Sequence, residues 1–193
     1  MVTLTTTEPS NIIIIQSVET SAVDDITASG LTFTRRASAS GGGFGFVDEE
    51  WYAIAGSPLS SVTITLHYTG ETINEGSAIA FGVSGADLTQ PFDPAAQLPA
   101  TASGIYEVNP EITVTLSKHS YDLVFMLLSE NSFVIENGGG PGKCCAKIQS
   151  QFGALAEYEI VKRATNNLSV ISSNPHGWSA IVDAIAPIHL GQN

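Results

Sequence analysis

Apolar and polar residues alternate with a period of two along much of this chain. Val62, Ile64, Leu66 and Tyr68 are interleaved with Thr63, Thr65 and His67, the period of a half-buried β-strand. A turn-forming stretch at 70–76 leads into a second apolar run at 78–83. The same pattern predicts strands at 31–39, 47–55, 112–116, 154–161, 168–172 and 178–185, with a short one at 132–136. Residues 12–18 form a strongly β-branched segment, and 123–128 is a continuous apolar run that reads as a central strand buried on both faces. Residues 90–104 carry three prolines and read as a long surface loop, and NGGGPG at 137–142 as a flexible one. Only 146–157 tempts a helical reading, and Gly153 lies within it.

About ten short strands separated by Gly, Pro, Ser and Asn turns predict an all-β fold, an antiparallel β-sandwich of jelly-roll type. The expected organisation is a flexible, Thr-rich N-terminal arm over 1–11 and a single sandwich domain over 12–193. A chain of 193 residues buries roughly 70% of its unfolded surface and needs no covalent staples. The composition, 43% hydrophobic and only 13% charged, is that of an ordered chain with a neutral surface.

Nineteen acidic residues against seven basic ones give a net charge of −12. That balance offers no electrostatic footprint for nucleic acid and is repelled by anionic membranes. Its plain reading is solubility; its sharper reading is divalent-cation binding. Cys144 and Cys145 are adjacent, which ordinary disulfide geometry does not favour, and no zinc spacing is present. The apolar run Ile12 to Ile15 is too short for a signal peptide or a membrane span. The expectation is a chain made and folded in a cytoplasm.

Candidate chemistry is sparse. In the triplet Asp48-Glu49-Glu50, strand alternation puts Asp48 and Glu50 on one face. With loop carbonyls they form a candidate Ca²⁺ site; the plainer reading is a charged strand edge that blocks unwanted pairing. Asp24-Asp25 and Asp87/Asp93 are weaker candidates of the same kind. Glu157 and Glu159 have the spacing of a glycosidase pair, but Ala156, Tyr158 and Ile160 are expected to hold the core face, leaving the pair outside without a cleft. The histidines His67, His119, His176 and His189 have no partner at ligand spacing, GxSxG is absent, and GGGFGF at 41–46 is not a phosphate loop. Trp51 and Trp178 read as core, while Phe92 and Tyr106, on loops, are the candidate stacking platforms for a glycan. Ile12, Ile13, Ile14 and Ile15 form either an internal core strand or an assembly strand that completes a neighbour's sheet.

Several phrases resemble a loosely defined group of jelly-roll or β-sandwich surface proteins of phages, archaeal viruses and prokaryotic surfaces. They are GLTFTRR at 30–36, EEWYAIAGSPLSSVTITL at 49–66, FGVSGAD at 81–87, FDPAAQLPATASG at 92–104 and AEYEIV at 156–161, with Trp178 and Asp183 in WSAIVDAI. These are strand-plus-turn phrases and bring no catalytic residues. The resemblance implies a structural role in a virion, as capsid decoration or as a tail or fibre component, rather than an enzyme. It also implies homo-oligomerisation, contact with other virion proteins, and assembly in a host cytoplasm. The alternative is a carbohydrate-binding or adhesion module at a cell surface, assisted by Ca²⁺.

Overall fold

The computed structural model describes the chain except residues 10, 42–44, 71–75, 106–110, 118–120, 131–136, 139–145, 151–152, 162–164, 172–176 and 189–193. Every described regular element is a strand, and every pairing is antiparallel. In chain order they are β1 (Val2–Leu4), β2 (Asn11–Glu19), β3 (Val23–Ala28), β4 (Leu31–Thr32), β5 (Thr34–Ser40), β6 (Val47–Ala55), β7 (Val62–Tyr68) and β8 (Ser77–Ser84). Then follow β9 (Ala100–Gly104), β10 (Glu111–Thr115), β11 (Asp122–Glu130), β12 (Asn137–Gly138), β13 (Ala146–Gln149), β14 (Ala154–Val161), β15 (Thr165–Ile171) and β16 (Trp178–Ile185).

The strands sort into four sheets, each drawn from one half of the chain. In the N-terminal half, an outer sheet runs β1-β7-β3-β4 and an inner sheet β5-β6-β2-β8. In the C-terminal half, an inner sheet runs β13-β14-β11-β16-β9 and an outer one β10-β15-β12. Three apolar cores separate the layers. Ile13, Ile15, Trp51 and Ala53 pack against Ile26, Ile64 and Leu66 between the N-terminal sheets. Ile12, Ile14, Ile79 and Phe81 meet Phe125, Leu127, Ala156 and Ile181 between the two inner sheets. Val124, Met126, Leu155 and Val182 pack with Ile112 and Val114 in the C-terminal half.

Layering explains the unusual strand compositions. An inner sheet is covered on both faces, so its central strands have no solvent side: β2 and β16 are buried at every position. Ile12, Ile13, Ile14 and Ile15 are all fully buried, alternately feeding the two cores that flank their sheet. Each such side chain contributes about 1.5–3 kcal/mol by leaving water. The outer strand β7, by contrast, keeps the alternation of a one-faced strand, with Ile64 and Leu66 inside and Thr63 and His67 outside.

The fold is all-β and antiparallel, as expected, with its described strands sorted into four sheets. Several other expectations change here. The N-terminal segment is docked on its own chain: β1 pairs with β7, and Thr6 donates its backbone N–H to the Leu59 carbonyl at 2.9 Å. It crosses so close to Gly82 that a Cβ there would lie 2.9 Å from the Thr6 methyl. The assembly role considered for Ile12–Ile15 has no surface to act from, because β2 already pairs with β6 on one side and β8 on the other. The 146–157 region is strand, β13 and the start of β14. The loop read at 90–104 ends in β9, which extends the C-terminal inner sheet.

Candidate functional site

A polar layer interrupts the apolar joint between the inner sheets. It starts from the register of β2 and β6: Gln16 stands opposite Glu50, and Val18 opposite Asp48, so Asp48 and Glu50 share the face turned toward the C-terminal half. From across the joint come Ser129 on β11 and Ser179 and Asp183 on β16. Gln16 donates from Nε2 to Asp48 at 3.2 Å and to the Leu128 carbonyl at 3.0 Å, tying the halves together. The hydroxyls of Ser129 and Ser179 lie 2.6 Å apart.

One cation reaches this layer among the described residues, and a β-bulge delivers it. The β5–β6 register pairs Arg35 with Trp51 and Ala37 with Glu50, leaving Arg36 as the extra residue. A bulge of this kind re-aims a side chain without breaking the ladder on either side. Arg36 donates from Nε to Asp183 Oδ2 at 2.7 Å and from an Nη to Oδ1 at 3.4 Å. Its guanidinium also lies 4.0 Å from the centroid of the Phe92 ring.

Three buried carboxyls thus share the layer with one guanidinium, which among the described residues bonds only Asp183. Asp48, Glu50 and Asp183 are each fully buried. Burial pushes the Asp48 carboxyl well above the ordinary carboxylate range, and hydrogen bonds from Gln16 and Ser129 offset this only in part. Glu50 is also raised well above its usual value, first by burial and then by the neighbouring charge of Asp183. Asp183 is raised by burial against the opposing pull of Arg36. Neither Glu50 oxygen has a donor. As a carboxylate, Glu50 is unsatisfied; as a carboxylic acid, it donates to Asp183.

A second carboxyl pair lies at the edge of the C-terminal half. Asp93 accepts from the Ala95 N–H at 2.7 Å, the Ser117 N–H at 3.0 Å and the Ser117 hydroxyl at 2.6 Å. Burial alone would raise Asp93, but the Ser117 and Ala95 hydrogen bonds win and hold it below its usual value. Asp122, at the start of β11, is pushed up to about 7 by burial and by the Asp93 carboxylate beside it.

On the surface, an apolar groove runs beside β8, the edge strand of the N-terminal inner sheet. Val83, Ser84, Leu123 and Ile160 line its whole length. Ile160 and Tyr121 stand on its rim with 64% and 56% of their surface exposed. None of the described residues lining it is charged.

The residues singled out from the sequence fall as follows. Asp48 and Glu50 do share a face, but they are buried in an interior strand and form no charged edge. Among the described residues no group of three or more His, Cys, Asp or Glu is arranged to hold a metal. Ala156 and Tyr158 do face the core between the inner sheets, as expected, but Ile160 is exposed and Glu157, on the other face of β14, is fully buried instead of outside. Leu155 and Val161, on the Glu157 side of that strand, pack into the C-terminal core. Phe92 is no open platform: its ring packs edge-on against Tyr52 at 4.9 Å and is capped by Arg36. Trp51 and Trp178 are buried, and His67 sits on the surface beside the Thr27 hydroxyl. Tyr106, Cys144, Cys145, His119, His176 and His189 lie outside the described residues.

Sequence reasoning missed Gln16, Arg36 and Asp122, and it weighed Asp183 only as part of a phrase. The available signal was polar residues inside long apolar strands, namely Gln16 in NIIIIQSVE and Asp183 in WSAIVDAI. No family model, curated protein or solved structure matches this chain.

Proposed function

We propose that this chain is a structural virion protein of a phage or prokaryotic virus, a capsid decoration protein or a tail or fibre component. In this reading it acts by self-assembly and surface display after folding in the host cytoplasm, and the jelly-roll kinship of its inner sheets belongs to the same proposal. The observation that carries the assembly part is the uncharged groove beside β8 with its exposed rim of Ile160 and Tyr121. Exposed apolar surface of this kind marks interaction sites. In a chain of net charge −12, two copies repel over most of their surface. They meet at least cost where neither carries charge, so the occupant proposed for the groove is a second copy.

The test is light scattering coupled to size exclusion at high protein concentration, on the wild type and on Ile160→Glu. Oligomers in the wild type that dissociate in the variant support the reading. A wild type that stays strictly monomeric overturns it.

A further inference from the structure

We propose that the joint between the two halves is held by protons: Asp48 and Glu50 stay protonated in the joined state while Asp183 pairs with Arg36, and ionising them loosens the contact between the inner sheets. The geometry points to this in three steps. First, the polar layer lies between the halves, and its members come from both: Gln16, Arg36, Asp48 and Glu50 from one, Ser129, Ser179 and Asp183 from the other. Second, the guanidinium of Arg36 is already committed to both oxygens of Asp183. Third, the Glu50 oxygens meet no donor, so a charged Glu50 would be buried, unsolvated and next to another carboxylate. A buried carboxylate without partners is among the costliest groups a fold can carry, and taking up a proton relieves it.

The groups facing this layer can be named strand by strand. β6 contributes Asp48, Glu50 and the phenol Tyr52, β16 contributes Asp183, and β5 contributes Arg36. Among the described residues, β2 and β11 contribute the neutral Gln16 and Ser129. On β8 and β14 the same joint holds Phe81 and the phenol Tyr158, stacked on each other. Glu49 points the other way, toward Arg35 and the Val23 N–H, and acts on Asp48 only through its charge.

The sign follows from linkage. The native state holds protons on Asp48 and Glu50 that the unfolded chain has already lost. Stability from this layer is therefore fully present below the ordinary carboxylate range and is lost as pH rises through the raised native values. The joint is tight in acid and loose in base.

Thermal unfolding of wild type and of the Asp48→Asn/Glu50→Gln double variant, from about pH 5 to about pH 9, tests this. The expected result is a wild-type Tm that falls as pH rises and a variant Tm that falls distinctly less. Asp122 titrates in both proteins and cancels in the difference. Parallel curves overturn the proposal. Two measurements on the wild type stand even if the variant does not fold. Infrared spectra in D₂O at neutral pH should show more C=O intensity from protonated carboxyls than Asp122 alone supplies, and intensity of one carboxyl or less would overturn the proposal. Amide protection factors should fall on raising the pH at Gln16, Asp48, Ser129 and Ser179 before they fall at Ile26 and Ile64. Uniform loss, or loss first at the outer core, overturns it too.

Discussion

On the outer side of the N-terminal inner sheet, Ile13, Ile15, Trp51 and Ala53 meet an apolar partner sheet, and charge is kept at the rim. There Glu49 has both oxygens served, by Arg35 at 3.0 Å and by the Val23 N–H at 2.7 Å. On the inner side of the same sheet, one residue further along β6, Glu50 has neither oxygen served by a donor. Two adjacent glutamates on one strand thus meet opposite fates. What separates them is what the facing layer offers: a backbone donor and a half-exposed arginine on one side, another carboxylate on the other. Burial alone does not set the behaviour of an acidic residue; the donors within reach do.

The largest expected effect comes from removing Arg36, the one cation among the described residues that serves the inner side. Arg36→Leu strips Asp183 of its cation and leaves a buried charge beside Glu50 with the Ala184 N–H as its remaining donor. The expected loss is about 3–5 kcal/mol near neutral pH, the usual range when one member of a buried pair is deleted. It should shrink in acid, where Asp183 can take a proton. Denaturant titrations at two pH values check this, and a loss that is equal at both would remove the distinction between the two sides.

An intermediate effect is expected on the apolar side. Ile64→Ala empties a fully buried position in the outer core and should cost about 2–5 kcal/mol. Because Ile64 packs in an apolar cluster and Glu49 on that side is already served by Arg35 and the Val23 N–H, the loss should vary little with pH. A pH-dependent loss measured by the same titration would mean that the two joints are not independent.

The smallest effect concerns the edge pair. Asp122 is raised to about 7 in the native state, above its ordinary value near 3.8. Its contribution is therefore fully present in acid and declines as pH rises toward neutrality. Asp122→Asn keeps a donor for Asp93 without the charge. Its Tm should exceed the wild type's above neutral pH and converge with it in acid. Equal melting curves at alkaline pH would show that Asp122 carries no such strain.

Much of the strand framework was legible because it rests on local pattern. β6, β7, β14 and β16 match the predicted 47–55, 62–68, 154–161 and 178–185, and 123–128 is a central strand buried on both faces, as its unbroken apolar run implies. The layering was not legible, since alternation reports one buried face and says nothing of a second sheet closing over the other. For the same reason Asp48, Glu50 and Glu157 read as solvent-facing: a polar residue in an alternating strand is placed outside by default, and only the opposing layer revokes that. β1 and β3 escaped because Val2–Leu4 and Val23–Ala28 are short or carry Asp24-Asp25. The Asp93–Asp122 pair joins a loop to a strand far along the chain, and no spacing rule connects them.

The bulge in β5 has a consequence for changes in chain length. Arg36 has no ladder partner, while Arg35 and Ala37 pair with the consecutive residues Trp51 and Glu50. Deleting Arg36 outright would therefore leave a continuous, regular ladder with every other side chain on its present face. The most informative edit to the middle of this molecule is thus a one-codon deletion. It would take out the cation and let the strand close up behind it.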